Sequence, residues 1–401
     1  MKVIVAGAGP GAADLYTEKM IKAVKSADLV LTAERLYEPL LKLTDKVQVM
    51  GVMDTVSYIN AHRNEPAAVC VAASGDTGFY SIASTIAKGI DASIEVEFIS
   101  GMGSLPYFMA KLKMGYEDVK LVSLHGRNKS IVPYVCYHER VFALTGGFLK
   151  VQDIAGQLLE AGLSDVTMYI GENLSLDNER ILHGSPADFA EMEFEDLAVV
   201  VVENKNYVNR HKTLKDGDFV RGKSPMTKEA VRNLALSALE IDPLDVVYDI
   251  GAGTGSVTCA MAYKAFESIV YAVEKNPEAV ALVHQNMAAT GARNIVIRQA
   301  MAPEGLSDFP PADKVFIGGS TGNLSEIVSS ILERNPKAVF VITAVTLETI
   351  SQAVTVCEEL ELETEIICAN VSAAQKLGSY HLMKAENPVY IIKGKKNGEA
   401  N

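Results

Sequence analysis

The sequence has no tryptophan and no long hydrophobic run. Its longest apolar runs, such as 197–202, have the length of a β-strand, whereas a membrane-spanning helix needs about 20 apolar residues. The apolar run near the N-terminus breaks at Gly7, too early for the core of a secretory signal peptide. We therefore expect a soluble protein that is neither membrane-bound nor secreted.

Cysteine is also scarce. The chain has five cysteines, an odd number, and no Cys-x-x-Cys pair. Each lies in or beside an apolar run: Cys70, Cys136, Cys259, Cys357 and Cys368. This pattern predicts reduced core cysteines in a cytoplasmic protein, rather than disulfides or metal ligands. No cluster of histidine, cysteine and carboxylate residues in the sequence suggests a bound metal.

Positive charge is in short supply as well. The chain has 37 lysine and arginine residues against 50 aspartate and glutamate residues, and the net charge of −13 is spread over both halves. Such a chain offers no broad basic surface to nucleic acid, so we expect no such partner. With 401 residues, of which 48% are hydrophobic, the protein is globular and long enough for two or three domains.

Short β-branched runs alternate with helix-length amphipathic segments. In the first hundred residues, the runs at 3–6, 29–32, 69–73 and 96–99 predict βαβ units on a parallel sheet. A second set of runs follows at 120–124, 140–145, 166–171 and 197–202. The two sets predict two lobes, at about 1–115 and 116–204.

The alternation stops in a polar, basic stretch without a period. We place the domain boundary there, with a first domain at 1–204, a linker at 205–223 and a second domain at 224–401. After the linker, helices are predicted at 227–240 and 277–290, and strands at 246–250, 269–273, 295–297, 314–317 and 338–342. A last hairpin-like pair, 365–370 and 388–393, completes a doubly wound α/β domain.

A glycine-rich turn at 249–255 reads Asp-Ile-Gly-Ala-Gly-Thr-Gly and connects a strand to a helix. Gly251, Gly253 and Gly255 allow positive φ and close approach of the backbone to a ligand. Glu274, after the next strand, can accept ribose hydroxyls. The Gly-x-Gly-x-Gly spacing resembles the class I methyltransferase family, which implies S-adenosylmethionine as cofactor. The alternatives are a nicotinamide or flavin site and a turn without a ligand.

Another glycine-rich turn follows the first strand, in Gly7-Ala-Gly-Pro10-Gly-Ala12. Read as Gly-x-Gly-x-x-Ala, it fits an FAD- or NAD-dependent oxidoreductase, and that alternative stays open. Its continuation and the motifs at 74–80, 99–105, 123–127, 145–147 and 171–181 resemble the tetrapyrrole (class III) methyltransferase family. The resemblance covers roughly the first half, and implies a bilobal domain that binds S-adenosylmethionine between its lobes.

The resemblance also implies which side chains of the first half contact the cofactor. They are Pro10, Ser74, Gly75, Asp76, Phe79, Gly103, Ser104 and Thr145. Asp76 has a simpler interpretation too, as the N-cap of a helix at 79–88.

The second half carries motifs at 221–232, 316–324 and 335–348 that resemble the decarboxylating C-15 methyltransferases of the cobalamin pathway. This resemblance implies a Rossmann-like class I domain and a second S-adenosylmethionine site. Its residues would be Thr227, Asp249, Gly251, Ala252, Gly253, Thr254, Gly255, Glu274 and Ala302. Met301 stands where many class I enzymes carry an acid near adenine, so we expect that pocket to depend on packing and backbone contacts.

A fusion of two such domains implies a tetrapyrrole substrate that gains two methyl groups and loses carbon dioxide, and any cobalt would belong to that substrate. Its carboxylates call for basic side chains, and the candidates are Arg127, Arg221, Lys223 and Lys376. His381 is a candidate proton donor, with a structural role as the alternative. Both families usually self-associate, so we expect a homo-oligomer. A tetrapyrrole carrier and a methyltransferase of protein or RNA are the remaining alternatives.

Overall fold

The structure, a computed structural model, describes residues 1–126, 129–319 and 322–396. The chain forms two units. The first consists of Met1–Lys129, Arg140–Leu159 and Leu163–Glu203, and the second of Ser130–Glu139, Glu160–Gly162 and the chain from Asn204 onward. Within the described ranges, no helix is long and apolar enough to cross a membrane.

The first sheet of the first unit is parallel throughout. Its strands are β1 (Lys2–Gly7), β2 (Leu29–Thr32), β3 (Val47–Val49), β4 (Ala68–Ala73) and β5 (Glu95–Ile99), in the order β3-β2-β4-β1-β5. Helices α1 (Glu18–Ser26), α2 (Glu34–Leu41), α3 (Val52–Ala61) and α4 (Ala83–Gly89) connect them. Apolar clusters cover both faces, which is why β1 and β4 are continuous apolar runs. β3 is short and mostly exposed, so it lacks that signal.

The second sheet of this unit is mixed. Its strands are β6 (Lys120–Ser123), β7 (Arg140–Leu144), β8 (Thr167–Glu172), β9 (Arg180–Gly184) and β10 (Ala198–Glu203), in the order β6-β7-β10-β8-β9. Only β6 and β7 pair in parallel, while β10 runs antiparallel to both of its neighbours. The helices of this part are α5 (Ser104–Leu112), α7 (Val151–Glu160) and α8 (Pro186–Phe189).

The second unit has one large sheet, in the order β13-β12-β11-β14-β15-β19-β16. Its strands are β11 (Val247–Ile250), β12 (Val270–Glu274), β13 (Ile295–Gln299), β14 (Lys314–Ile317), β15 (Val339–Ala344), β16 (Leu362–Ala369) and β19 (Val389–Lys396). The first five are parallel, and β19 pairs antiparallel with β15 and β16. Its helices are α6 (Val132–Tyr137), α9 (Glu229–Leu239), α10 (Ser256–Lys264), α11 (Pro277–Thr290), α12 (Leu324–Arg334) and α13 (Leu347–Glu359).

A two-stranded hairpin interrupts the pair that was predicted to close this unit. It consists of β17 (Ser372–Leu377) and β18 (Tyr380–Ala385), which pair with each other and form a sheet of their own. All of their residues are exposed. The predicted partners do pair, as β16 and β19, so the hairpin is an insertion between them.

Helix α11 shows how the sequence sets local boundaries. The Asn276 side chain accepts a hydrogen bond from the Glu278 amide at 2.9 Å, and Pro277 occupies the first helical position. Gly291 ends the helix with a φ of 76°, in the left-handed region that glycine tolerates best. These three residues place both ends of α11 where the sequence predicts them.

The predicted linker at 205–223 is part of the second unit, where side chains hold it in place. Arg232 of α9, which is fully buried, donates to the carbonyl oxygens of Leu214 at 2.7 Å and Thr227 at 2.8 Å. The backbone of Val220 exchanges two hydrogen bonds with the Asn286 side chain, at 2.7 and 3.1 Å. Side-chain clamps of this kind leave no periodic pattern in the sequence, so the segment looks like a linker there.

The cysteine prediction needs one correction. Cys70, Cys136, Cys259 and Cys357 are buried free thiols, as expected of core cysteines, but Cys368 is exposed. It lies on β16, which ends the sheet and leaves most of its side chains exposed. An apolar run on an edge strand is therefore not evidence of burial.

Candidate functional site

Three loops of the first unit meet at the carboxyl ends of β1, β4 and β5. The amide of Gly9 donates to the Gly75 oxygen at 3.2 Å, and the Gly75 amide donates back at 2.8 Å. A Cβ on Gly101 would lie 2.5 Å from the oxygen of Gly7 and 2.6 Å from that of Gly75. The three loops therefore touch backbone to backbone, which glycine alone permits.

Asp76 connects two of these loops. Its Oδ1 accepts from the Gly78 amide at 2.7 Å, and its Oδ2 accepts from the Gly101 amide at 3.1 Å. Helix α4 begins at Ala83, so the interpretation of Asp76 as the N-cap of a helix at 79–88 is wrong. Its carboxylate instead holds together the floor of a cavity.

This cavity has a volume of about 360 Å³. Among the residues predicted to contact a cofactor, it is bordered by Pro10, Ser74, Gly75, Asp76, Phe79, Ser104 and Thr145. Gly103 does not border it and immediately precedes α5. The Ser74 hydroxyl is buried and has no hydrogen-bond partner in the described part of the chain. A bound ligand could satisfy that hydroxyl.

Arg35 also borders the cavity, and the sequence analysis missed it. The residue as a whole is exposed, although partial desolvation of its guanidinium lowers its pKa. It forms no ion pair with any described residue. Its position at the start of α2, directly after β2, is the signal that could have identified it, because functional side chains gather at the carboxyl ends of parallel strands.

The glycine turn of the second unit has the predicted left-handed geometry. Gly251, Gly253 and Gly255 have φ values of 76°, 55° and 75°. A Cβ on Gly251 would lie 2.9 Å from the Gly319 oxygen, so this position excludes any side chain. Glu274 stands beside the turn, where its carboxylate accepts from the Gly253 amide at 2.9 Å.

A cavity of about 360 Å³ opens next to this turn. It is bordered by the predicted residues Gly251, Gly253, Glu274 and Ala302, and by the half-exposed Met301. Asn323 borders it too: its Nδ2 donates to the Ala302 oxygen at 2.7 Å, and its buried Oδ1 has no described partner. Where the sequence suggested packing and backbone alone, the structure thus offers a side-chain acceptor. Its place in the 316–324 motif was the available signal.

Asp249 lies beneath the turn, fully buried, and borders neither cavity of this unit. Its Oδ2 accepts a hydrogen bond from the Thr258 hydroxyl, and its Oδ1 has no partner within the described ranges. Burial, with a smaller contribution from the nearby Glu274, raises the pKa of Asp249 to about 7.

A larger cavity, of about 930 Å³, adjoins the smaller one. The two share Pro225, Gly251, Gly253 and Gly318 as walls. The predicted residues Thr227, Ala252 and Thr254 border the larger cavity. Gly255 borders neither, because it packs against Val283.

Three of the four predicted substrate residues, and the candidate proton donor His381, lie outside these cavities. Arg221 and Lys223 are exposed and border neither cavity of the second unit. Lys376 and His381 are cross-strand partners on the exposed hairpin, next to its tip and outside both cavities. Arg127 lies outside the described residues.

The first glycine turn also differs from a dinucleotide fingerprint. In that fingerprint the helix begins directly at the glycines. Here a short 3-10 turn at Ala13–Leu15 follows, and α1 begins only at Glu18. The FAD or NAD interpretation is therefore not supported.

Comparison with known proteins covers both halves. Residues 2–190 match the family of tetrapyrrole (corrin/porphyrin) methylases, and residues 218–396 match the precorrin methyltransferase domain. A probable cobalt-precorrin-6B C(15)-methyltransferase (decarboxylating) of Pyrobaculum calidifontis is 41% identical over 42% of this chain and 87% of its own length. A precorrin-6Y C(5,15)-methyltransferase (decarboxylating) of Sinorhizobium is 28% identical over 84% of this chain and 81% of its own. The crystal structure of a precorrin-6Y C5,15-methyltransferase from Geobacter metallireducens is 37% identical over 46% of this chain and 97% of that one, with a TM-score of 0.44.

The glycine turns and these matches define an S-adenosylmethionine-dependent C-methyltransferase. Within that class, the chain belongs to the precorrin methyltransferase family.

Proposed function

We propose that the protein is a bifunctional methyltransferase of cobalamin biosynthesis. It methylates C-5 and C-15 of precorrin-6Y, or of the cobalt-containing equivalent, and removes carbon dioxide from a ring acetate. The first unit, as a bilobal tetrapyrrole methylase domain, performs the C-5 reaction. The second, as a Rossmann-like class I domain, performs the C-15 reaction and the decarboxylation.

The observation that carries this proposal is the presence of two unlike glycine-bordered cavities, one in each unit. Each cavity is bordered by a buried polar atom without a described partner, the Ser74 hydroxyl in one and the Asn323 Oδ1 in the other. These features fit one S-adenosylmethionine per unit. The similarity to the Sinorhizobium relative over most of the chain supports the assignment of both reactions.

When bound, S-adenosylmethionine supplies an electrophilic methyl group on a positively charged sulfur. In the second unit, Glu274 would hold the ribose hydroxyls and the turn at 251–255 would hold the amino-acid end. In the first unit, Pro10 and the loop with Ser74, Gly75 and Asp76 would hold S-adenosylmethionine. Because glycine has no side chain, the glycine-lined walls leave room for the methyl group and the substrate carbon to approach each other.

The nucleophile in each methyl transfer is a carbon of the substrate ring, so no nucleophilic side chain is required. The protein aligns this carbon and excludes water, an effect worth about 7–11 kcal/mol in well-oriented reactions. In the decarboxylation, the bond from the acetate carbon to its carboxylate breaks. The electron pair passes into the conjugated ring, and the acetate carbon takes up a proton.

Incubation with precorrin-6Y, also called precorrin-6B, and labelled S-adenosylmethionine, followed by mass spectrometry, tests the proposal. We expect a product with two added methyl groups and one carbon dioxide fewer. Calorimetric titration with S-adenosylhomocysteine should show two binding sites per chain. An unchanged mass with both the metal-free and the cobalt substrate would refute the assignment.

We further propose that the protein self-associates in the cytoplasm. The exposed apolar side chains of the β17–β18 hairpin, Leu377, Tyr380, Leu382 and Met383, support a second copy of the chain as partner. The five free cysteines support a reducing compartment. Light scattering of the purified protein should give a multiple of the chain mass, and a monomer at micromolar concentration would contradict self-association.

A further inference from the structure

The larger cavity of the second unit lies beside the smaller cavity, which is proposed to bind S-adenosylmethionine. It is therefore placed to hold the molecule that is methylated. The two cavities share four wall residues, so they lie side by side along the glycine turn. At about 930 Å³ against about 360 Å³, the larger cavity is near the upper end of the usual ligand-pocket range of about 300–1,000 Å³. It is suited to a ligand considerably bulkier than a nucleoside.

Three charged residues border this cavity: Lys228, Lys384 and Glu386. Lys228 is half-buried and Lys384 is exposed, and neither forms an ion pair with any described carboxylate. The amides of Gln375 and Asn387 also line it. The cavity therefore has two free ammonium groups against one carboxylate, in an otherwise acidic protein.

The position of Lys228 is not explained by the stability of its helix. Lys228 is the N-cap residue of α9, and its side chain forms no capping hydrogen bond. A helix N-terminus carries partial positive charge and favours acidic or small polar residues. A lysine there is unfavourable for the helix, so a ligand carboxylate is a more reasonable partner for its ammonium group.

Lys384 approaches from the hairpin. It lies opposite Ala373 in the register of β17 and β18, so it has no cross-strand charge partner. Ala373, Ala374 and Gln375 border the same cavity, whereas the next residue, Lys376, does not. Of its two lysines, the hairpin thus presents Lys384 to the cavity and leaves Lys376 outside.

We propose that Lys228 and Lys384 bind carboxylates of the tetrapyrrole in this cavity and thereby determine how the ring is oriented for the second unit's reactions. This proposal rests on the proposed function and deepens it. A polycarboxylate substrate bound at two separate points is fixed in orientation, and charge-assisted hydrogen bonds are the strongest contacts available for that purpose.

The test uses the full chain with Lys228→Gln, Lys384→Gln and the double variant. Lys264→Gln is the matched control, since Lys264 is an exposed lysine of α10 that borders neither cavity. The readouts are KM for precorrin-6B in C-15 methylation and decarboxylation, C-5 methylation in the same mixture, and calorimetric affinity for S-adenosylhomocysteine.

We expect each single variant to raise KM about tenfold, which corresponds to about 1.4 kcal/mol, and the double variant about a hundredfold, because each substitution removes one charge-assisted contact to a substrate carboxylate. The C-5 reaction, the affinity for S-adenosylhomocysteine and the Lys264→Gln variant should stay near wild type. Lys384→Arg keeps the charge and should retain most of the affinity, which separates a lost contact from a misfolded hairpin.

A KM within twofold of wild type in the double variant, with S-adenosylhomocysteine still bound, would overturn the proposal and leave the proposed function standing. An equal loss in Lys264→Gln would overturn it too, because the effect would then reflect overall charge. If the wild-type protein failed to methylate precorrin-6B, the proposed function itself would be wrong. The two failures can therefore be distinguished.

Discussion

The two units build their glycine-lined cavities in different ways. In the first, three loops that are distant in sequence touch through Gly7, Gly75 and Gly101. In the second, one continuous turn at 249–255 bends around the Glu274 carboxylate, and the remaining walls come from other segments such as 300–302 and 318–319. The glycines of the first cavity are therefore brought together by the tertiary fold, whereas those of the turn are neighbours in sequence, although the same kind of ligand is proposed for both cavities.

The aspartates of the two glycine-rich sites, Asp76 and Asp249, also differ. Both oxygens of Asp76 accept hydrogen bonds from backbone amides of the loops that it connects. Asp249 is buried under its turn, one of its oxygens has no partner among the described residues, and burial raises its pKa to about 7. The Asp76 carboxylate therefore stabilises contacts between loops. For Asp249, burial makes the ionised form unfavourable.

The largest effect should come from Gly101→Ala. The new Cβ would lie 2.5 Å from the Gly7 oxygen and 2.6 Å from the Gly75 oxygen, and neither backbone can move without separating the loops. Because the new Cβ would overlap two backbone oxygens at once, we expect a loss of about 5 kcal/mol or more in the stability of the first unit, together with loss of C-5 methylation. Thermal unfolding and product mass spectrometry measure the two effects.

Two alanine substitutions serve as references for this prediction. Gly253→Ala in the second unit places its Cβ 3.5 Å from the nearest atom, the Pro225 oxygen, so we expect only the left-handed backbone strain of about 1–2 kcal/mol. Gly156→Ala on α7 meets nothing within 4 Å and should be neutral or stabilising. If Gly101→Ala behaved like Gly156→Ala, the proposed dependence on contact between loops would be wrong.

Next in size is Arg232→Met in the second unit. The guanidinium is fully buried, it binds the Leu214 and Thr227 oxygens, and it lies 3.3 Å from the Asp216 carboxylate. Removing one partner of a buried ion pair typically costs about 3–5 kcal/mol. Chemical denaturation should show the second unit unfolding earlier, with C-15 activity lost before C-5 activity. A loss below about 1 kcal/mol would mean that the 205–223 segment is not held by this clamp.

The contrast between the units also explains what the sequence could predict. Buried parallel strands such as β4, the capped helix α11 and the turn at 249–255 carry their signals in adjacent residues, and all three lie where predicted. Arg35 and Asn323 also have signals in the sequence, a position directly after β2 and a place in the 316–324 motif, but tertiary packing decides which cavity each one borders. Arg221, Lys223 and Lys376, which were predicted from charge and local motifs, are exposed and border neither cavity of the second unit, because charge alone does not show which cavity a side chain reaches.

The third prediction concerns pH and Asp249→Asn. Because the pKa of the folded carboxyl is raised to about 7, the native state keeps a proton that the unfolded state releases near pH 4. The wild type should therefore lose stability as pH rises from about 4 to about 7, by up to about 4 kcal/mol in the ligand-free protein. Asparagine cannot ionise, so denaturation at pH 5 and pH 8 should show the variant's relative stability increasing with pH. A difference independent of pH would mean that Asp249 titrates normally.

The smallest effect should come from Asn323→Ala. Together with Ser74→Ala, it compares the two buried polar atoms that border the cavities and have no described hydrogen-bond partner. The substitution removes the Oδ1 acceptor and the bond to the Ala302 oxygen, so we expect affinity for S-adenosylhomocysteine at the second site to fall about fivefold to tenfold, a loss of about 1 kcal/mol. Asn323→Asp keeps an acceptor oxygen and should lose less, while Ser74→Ala should weaken only the first site. Calorimetry resolves these cases if the two sites differ in affinity. If Asn323→Ala weakened both sites equally, the two cavities would not bind independently, and Asn323 could not be assigned to the second site alone.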